Sequence, residues 1–175
     1  MKEKMTKEQR KQQIKERNTP PKLSILEEIG NSVTHGVGAV VALIGMILLL
    51  LKADSGAKIA GALIFGGSMF LLMLMSCLYH AFKSDSKVKR VWRRFDYTSI
   101  YFLINGTFAP IILVFANSSF AILLFIIQWI LALIGILMIL IYGPGKWPAL
   151  HYTLYFLIGW SGVFLLPDLY QSNQT

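Results

Sequence analysis

A serine and a histidine close one apolar run in the stretch SCLYHAFKSDSKVKRVWRRFD, and an aspartate opens the next. Ser76 and His80 are four residues apart, so on a helix they share a face. The basic segment 81–96 returns the chain to the side it left, which brings Asp96 to a depth similar to that of His80. A carboxylate beside a histidine fixes its tautomer and strengthens it as a metal ligand, directly or through a water. A hydroxyl one turn away can hydrogen-bond the same group. The plainer alternative is that Ser76 packs helices together and His80 snorkels to the interface.

A second polar group precedes these. In EEIGNSVTHG, residues Glu28, Asn31, Ser32 and His35 fall within an arc of about 100° on a helix, and the remaining positions are mainly apolar. Lipid drives such a face inward, because an exposed polar group there costs several kcal/mol. Glu27 and Glu28 also suit an ordinary helix start. His151 lies at the same membrane face, where three imidazoles and a water would make a catalytic zinc set. There is no tight histidine pair, and an interfacial cap beside Trp147 is the preferred reading of His151.

The elements that must position these residues are helices. Five apolar runs, at about 30–51, 58–80, 97–116, 119–141 and 149–167, have the length of about 20 residues that spans a hydrocarbon core. None alternates with period two, so a β-barrel is excluded in favour of helices with internally satisfied backbones. The expected fold is all-α, a polytopic transmembrane bundle formed by residues 23–175. Residues 1–22 form a basic tail, disordered or loosely helical. The third span carries a small or polar stripe of Asp96, Ser99, Gly106, Thr107 and Pro110.

Composition agrees. The 175 residues are 55% hydrophobic and only 15% charged, against about 25% charged in soluble domains. Of the 17 Lys and Arg, eight precede Leu23 and six lie between Lys83 and Arg94. With five spans, these clusters and Lys146 share one side, against Lys52 and Lys58 on the other. The positive-inside rule therefore puts the N-terminus in the cytoplasm and the C-terminus outside. The clusters also suit anionic headgroups. Nucleic acid is not expected, since aromatic platforms interleaved with the basic residues are absent. The single cysteine, Cys77, excludes an intrachain disulfide.

The segments EEIGNSVTHGVGA, SCLYHAF, RRFDYTSIYFLINGTFAP and LYFLIGWSGV, in this order, resemble the haemolysin III proteins of bacteria, a branch of the progestin and adipoQ receptor family. The likeness covers about residues 25–167. It implies seven transmembrane helices in the bacterial cell membrane, with a cytoplasmic N-terminus. It also implies a zinc site near that side, with His80 as a ligand, Asp96 close to the metal through water and Ser76 beside it. The other two ligands of the family come from a His-x-x-x-His motif on the last helix. This sequence holds no such motif and ends after five spans, so the last two helices are expected to be missing. The resemblance implies a haemolytic, pore-forming or membrane-homeostasis role. Two alternatives accompany it: a zinc-dependent hydrolase of lipid amides at the inner leaflet, with Ser76 and Asp96 in its chemistry, and an inactive truncated remnant.

Overall fold

The computed structural model describes residues 6–84, 86–116 and 118–172. Its architecture follows from where serine starts a helix. Helices α2 (Ile25–Lys52), α3 (Gly56–Ala81), α4 (Lys87–Pro110) and α5 (Ser119–Tyr142) each begin after a serine. The hydroxyls of Ser24, Ser55, Ser86 and Ser118 accept from the backbone N–H three residues on, satisfying donors that the first turn leaves open. Ser24 and Glu27 complete a reciprocal capping box. Helix α6 (Pro148–Trp160) starts instead on proline, whose missing N–H has no consequence in a first turn. It runs on through a tighter 3-10 turn, Ser161–Leu165, into α7 (Leu166–Ser172).

Five helical stretches are long and apolar enough to cross a membrane: Ile25–Lys52, Gly56–Ala81, Lys87–Phe115, Ser119–Tyr142 and Pro148–Gln171. They match the five spans read from the sequence. The third differs most: its helix starts at Lys87, well before the apolar run. Ser86 caps it, and charged residues are compatible with helix wherever their heads reach water or a partner. At the other end, Pro110 closes α4 and a π turn follows over Ile111–Phe115. The Ala116 amide reaches back to the Ile111 carbonyl, at 2.9 Å.

The helices are arranged around α4. Helix α2 packs on α3 and α3 on α4, and α4 in turn meets α5 and α6. Small residues allow the closest approaches. A Cβ on Gly106 of α4 would collide with Ser68 of α3, and one on Gly61 of α3 would lie 3.0 Å from Cα of Pro110. Close backbone packing is what holds helices together in lipid, where apolar burial gives little drive. One buried cluster joins Tyr101, Ala132, Ile136, Ile139 and Ile158, and another joins Phe108, Ile112, Ala116, Ala121 and Leu165. Large apolar side chains such as Val41, Leu48, Ile126 and Leu137 point outward, as a lipid-facing surface requires.

Within the basic tail, α1 (Lys7–Asn18) is a regular helix. Thr6 and Gln9 make its capping box, with bonds of 3.2 and 2.8 Å. Its far end is clipped to the bundle by Asn18. That amide donates to the Tyr142 carbonyl at 3.0 Å and accepts from the Gly145 amide at 2.7 Å. Gly143 makes room for it. Its φ of 81° favours glycine, and a Cβ there would strike the Asn18 side chain.

Candidate functional site

Glu28, near the start of α2, is the hub of a polar cluster between α2, α3 and α4. Its Oε2 lies 2.8 Å from Nδ1 of His80, and its Oε1 accepts from Nζ of Lys89 at 2.7 Å. Ser84 reaches the same oxygen at 3.4 Å. The Lys89 side chain is fully buried, and Glu28 and His80 are each 12% exposed. Lys89 also donates to the Phe82 carbonyl at 3.0 Å and sits 4.9 Å from the centre of the Tyr79 ring. A cation removed from water needs such partners, since an unpaired one costs far more than any single contact returns. A carboxylate only accepts, so Nδ1 of His80 is the donor in this contact.

The residues predicted from the sequence converge here. The His35 ring stacks parallel to His80, with centroids 6.0 Å apart. Ser76 is buried beside Asp96, which lies near His80, His35 and Arg93. Ser32, on the polar face of α2, donates to the Cys77 carbonyl at 3.1 Å. Glu28 is therefore far more than a favourable first-turn charge: it joins three elements.

The cluster opens sideways into a cleft of about 600 Å³. Ile25, Ile29, Val33 and Phe82 supply apolar walls, and Glu28, His80, Lys83 and Ser84 supply polar ones. Deeper in the bundle the polar path ends. Ser99 turns its hydroxyl to the Asp96 carbonyl at 2.6 Å, Gly106 is pressed on Ser68, and Thr107 is exposed and bonds back to Leu103. The stripe read along the third span thus divides into a site residue, Asp96, and a packing seam.

His151 belongs elsewhere. It is 2% exposed, not an interfacial cap, and its Nδ1 lies 3.0 Å from the Tyr101 hydroxyl. Its Nε2 is buried without a hydrogen-bond partner. Its contact is on the α4–α6 side, so the three histidines do not form one set.

A zinc ion near His80 therefore finds an incomplete donor set. Among the described residues, no group of three or more His, Cys, Asp or Glu side chains is arranged to hold a metal. His80 and Asp96 lie at one site, but His35 stacks on His80 instead of converging with it on a common point. The residues of this chain by themselves do not fit a tetrahedral zinc centre.

Sequence reasoning missed Lys89, which was counted with the topology charges. A signal was present: Lys89, Arg93 and Asp96 recur at spacings of four and three, which is one helical face. It also missed Tyr101, whose hydroxyl carries no pattern until α6 is placed beside it.

Comparison with known proteins agrees with the fold. A family model described as haemolysin-III related matches residues 23–175. Hemolysin-3 of Bacillus cereus is 30% identical over 151 residues, covering 85% of this chain and 68% of that protein. The hemolysin-3 homolog of Bacillus subtilis strain 168 is 34% identical over 152 residues, covering 85% and 70%. No solved structure matches. A match across the whole transmembrane region, with two relatives at this identity, means that the chain belongs to the haemolysin III family.

Proposed function

We propose that the chain is a haemolysin III-type protein of the bacterial cell membrane that engages lipid at the inner leaflet and perturbs or adjusts the bilayer there. Its N-terminus is cytoplasmic in this reading, as the basic clusters at residues 1–22 and 83–94 favour. The observation that carries it is the cleft beside Glu28 and His80, which is apolar along Ile29 and Val33 and polar at Lys83 and Ser84. That lining suits an amphiphile: an acyl chain lies along the α2 wall, and the head is met by an ammonium, a hydroxyl and an imidazole. The bacterial relatives carry the name hemolysin-3, which fits an action on membranes. The closed seam at Gly106 and Ser68 favours action through bound lipid over a water-filled pore within one chain.

The test is lipid retention and dye leakage with the purified protein. Wild type should carry lipid through purification and raise leakage from vesicles above empty controls. The cleft-filling variant Ile29→Trp/Val33→Trp should lose both. Leakage equal to controls in wild type would remove the lytic part. Lipid retention unchanged in a folded variant would remove the cleft.

A hydrolytic reading is kept by one observation, Ser76 buried beside Asp96 and near His80. Zinc hydrolysis of lipid amides needs ligands that this chain alone does not arrange. Elemental analysis decides it. About one zinc per chain, lost in His80→Ala, would revive that chemistry, and substoichiometric zinc unaffected by His80→Ala would end it.

A further inference from the structure

Helix α1 has no apolar face, yet it is well formed and clipped in place. Its charges are sorted. At 100° per residue, Lys7, Arg10, Lys11, Lys15 and Arg17 occupy an arc of about 160°, while Glu8, Gln9, Gln12, Gln13 and Glu16 occupy the other side. Ile14 and Asn18 fall in the middle of the basic arc. The five basic residues are exposed, whereas Ile14 and Asn18 are partly buried.

Asn18 fixes which way this helix faces. Its amide bonds Tyr142 and Gly145 in the turn between α5 and α6. Arg93 at the start of α4 donates to the carbonyls of Arg17 and Thr19, at 3.0 and 3.1 Å. Helix α1 is thus held against the end of the bundle where α4 begins and α5 ends. The side that carries Asn18 is the side turned to the bundle, and Lys7 and Lys11 share that helical face with Asn18. On the other side Glu8, Gln9, Gln12 and Glu16 are exposed, while Gln13 is partly buried.

We infer that α1 is a surface strap whose basic face binds the phosphates of anionic lipids in the adjoining leaflet. Its orientation is set by the Asn18 clip, not by an apolar stripe. The occupant follows from charge: a leaflet rich in anionic phosphate meets Lys7, Lys11 and Lys15, and the acidic side faces water. An amphipathic helix buries an apolar face in the interface. This one needs none, because protein contacts hold it there. The inference rests on the membrane reading of the five spans but not on which side is cytoplasmic. It does not require the cleft.

The experiment is limited trypsin digestion of the full chain in nanodiscs, where α1 is accessible whichever way the protein is inserted. One set contains phosphatidylcholine alone and the other contains phosphatidylcholine with phosphatidylglycerol. Cleavage within residues 7–17 should be at least about fivefold slower in the anionic discs, and the difference should vanish at high salt. Lys7→Gln/Lys11→Gln/Lys15→Gln removes three of the five cleavage sites in this stretch and leaves Arg10 and Arg17, so its readout is amide hydrogen exchange over residues 8–18. Exchange there should become independent of lipid charge. Glu8→Gln/Glu16→Gln should leave the lipid dependence intact. If the lysine variant unfolds α1, the wild-type comparison of the two lipids still decides. Equal cleavage in both lipids would overturn the inference, as would protection that persists in high salt. Lipid-charge dependence in α1 together with an inert cleft variant would keep the strap and discard the proposed lipid cleft.

Discussion

Two buried polar regions share helix α4 and differ in how they are satisfied. At its start, Lys89 meets Glu28, and Glu28 meets His80. This group is charged, and each of these side chains is answered. Further along, Tyr101 meets His151, Asn105 bonds the Tyr101 carbonyl at 2.9 Å, and Gln128 donates to Ser161 at 2.6 Å. This group is neutral, and among the described residues it leaves Asn105 Oδ1, Gln128 Oε1 and His151 Nε2 buried without partners. A charge in a protein interior must be answered or the structure fails, whereas a neutral acceptor can go unanswered at a cost of about 1–3 kcal/mol. The charged region is therefore an interlocking unit, and the neutral region is a set of separate bonds.

The sharpest way to break the contrast is Lys89→Met. It takes from Glu28 its only paired ammonium, leaving the carboxylate with His80 and Ser84 alone, and should destabilise by about 3–5 kcal/mol. Glu28→Gln strands Lys89 with a similar effect. The double variant should lose much less than the sum of the two, because no unpaired charge remains. Unfolding in mixed detergent measures all three, and additive losses would mean that the residues do not act as a unit. In the neutral region, Gly135→Ala sends a Cβ into the Tyr101 ring and should cost about 1–3 kcal/mol. Tyr101→Phe removes one neutral bond and should cost about 1–2 kcal/mol. Combined with Gln128→Leu its effect should add, as separate bonds do, and strong coupling in that pair would erase the distinction between the regions.

The smallest effect belongs outside both regions. Asp54, between α2 and α3, pairs with Lys58 at 2.7 Å. That bond holds its carboxyl below the usual aspartate range. A lowered carboxyl favours the folded state above its ordinary range and loses that advantage as pH falls through the lowered midpoint. Asp54→Asn should flatten this acid limb slightly and lower neutral stability by the same small amount. A large loss at neutral pH would show that surface pairs matter here as much as the buried one.

The same contrast explains what was legible in the sequence. The five spans are written in composition, because lipid imposes one length and one polarity on every crossing segment. Ser76, His80 and Asp96 were legible because polar residues at the ends of apolar runs stand out. Lys89 did not stand out. It lies in a segment where charges serve topology, and its burial depends on α2 lying alongside. The Tyr101–His151 bond was hidden for a related reason: it joins positions 50 residues apart on faces that only packing defines. Helix α1 was obscured by its polarity, although Thr6 and Gln9 spelled a capping box.

The 3-10 turn at Ser161–Leu165 has a mechanical consequence. Helix α6 proper holds 13 residues, about 20 Å at 1.5 Å per residue, which is less than a hydrocarbon core. The fifth span is therefore two short rods joined within the span, where Ser161 donates to the Ile158 carbonyl at 2.5 Å and receives Gln128. Bending concentrates at such a joint. The second rod can tilt with a change in bilayer thickness while the first, tied through His151 and Tyr155 to α4, stays in register with it.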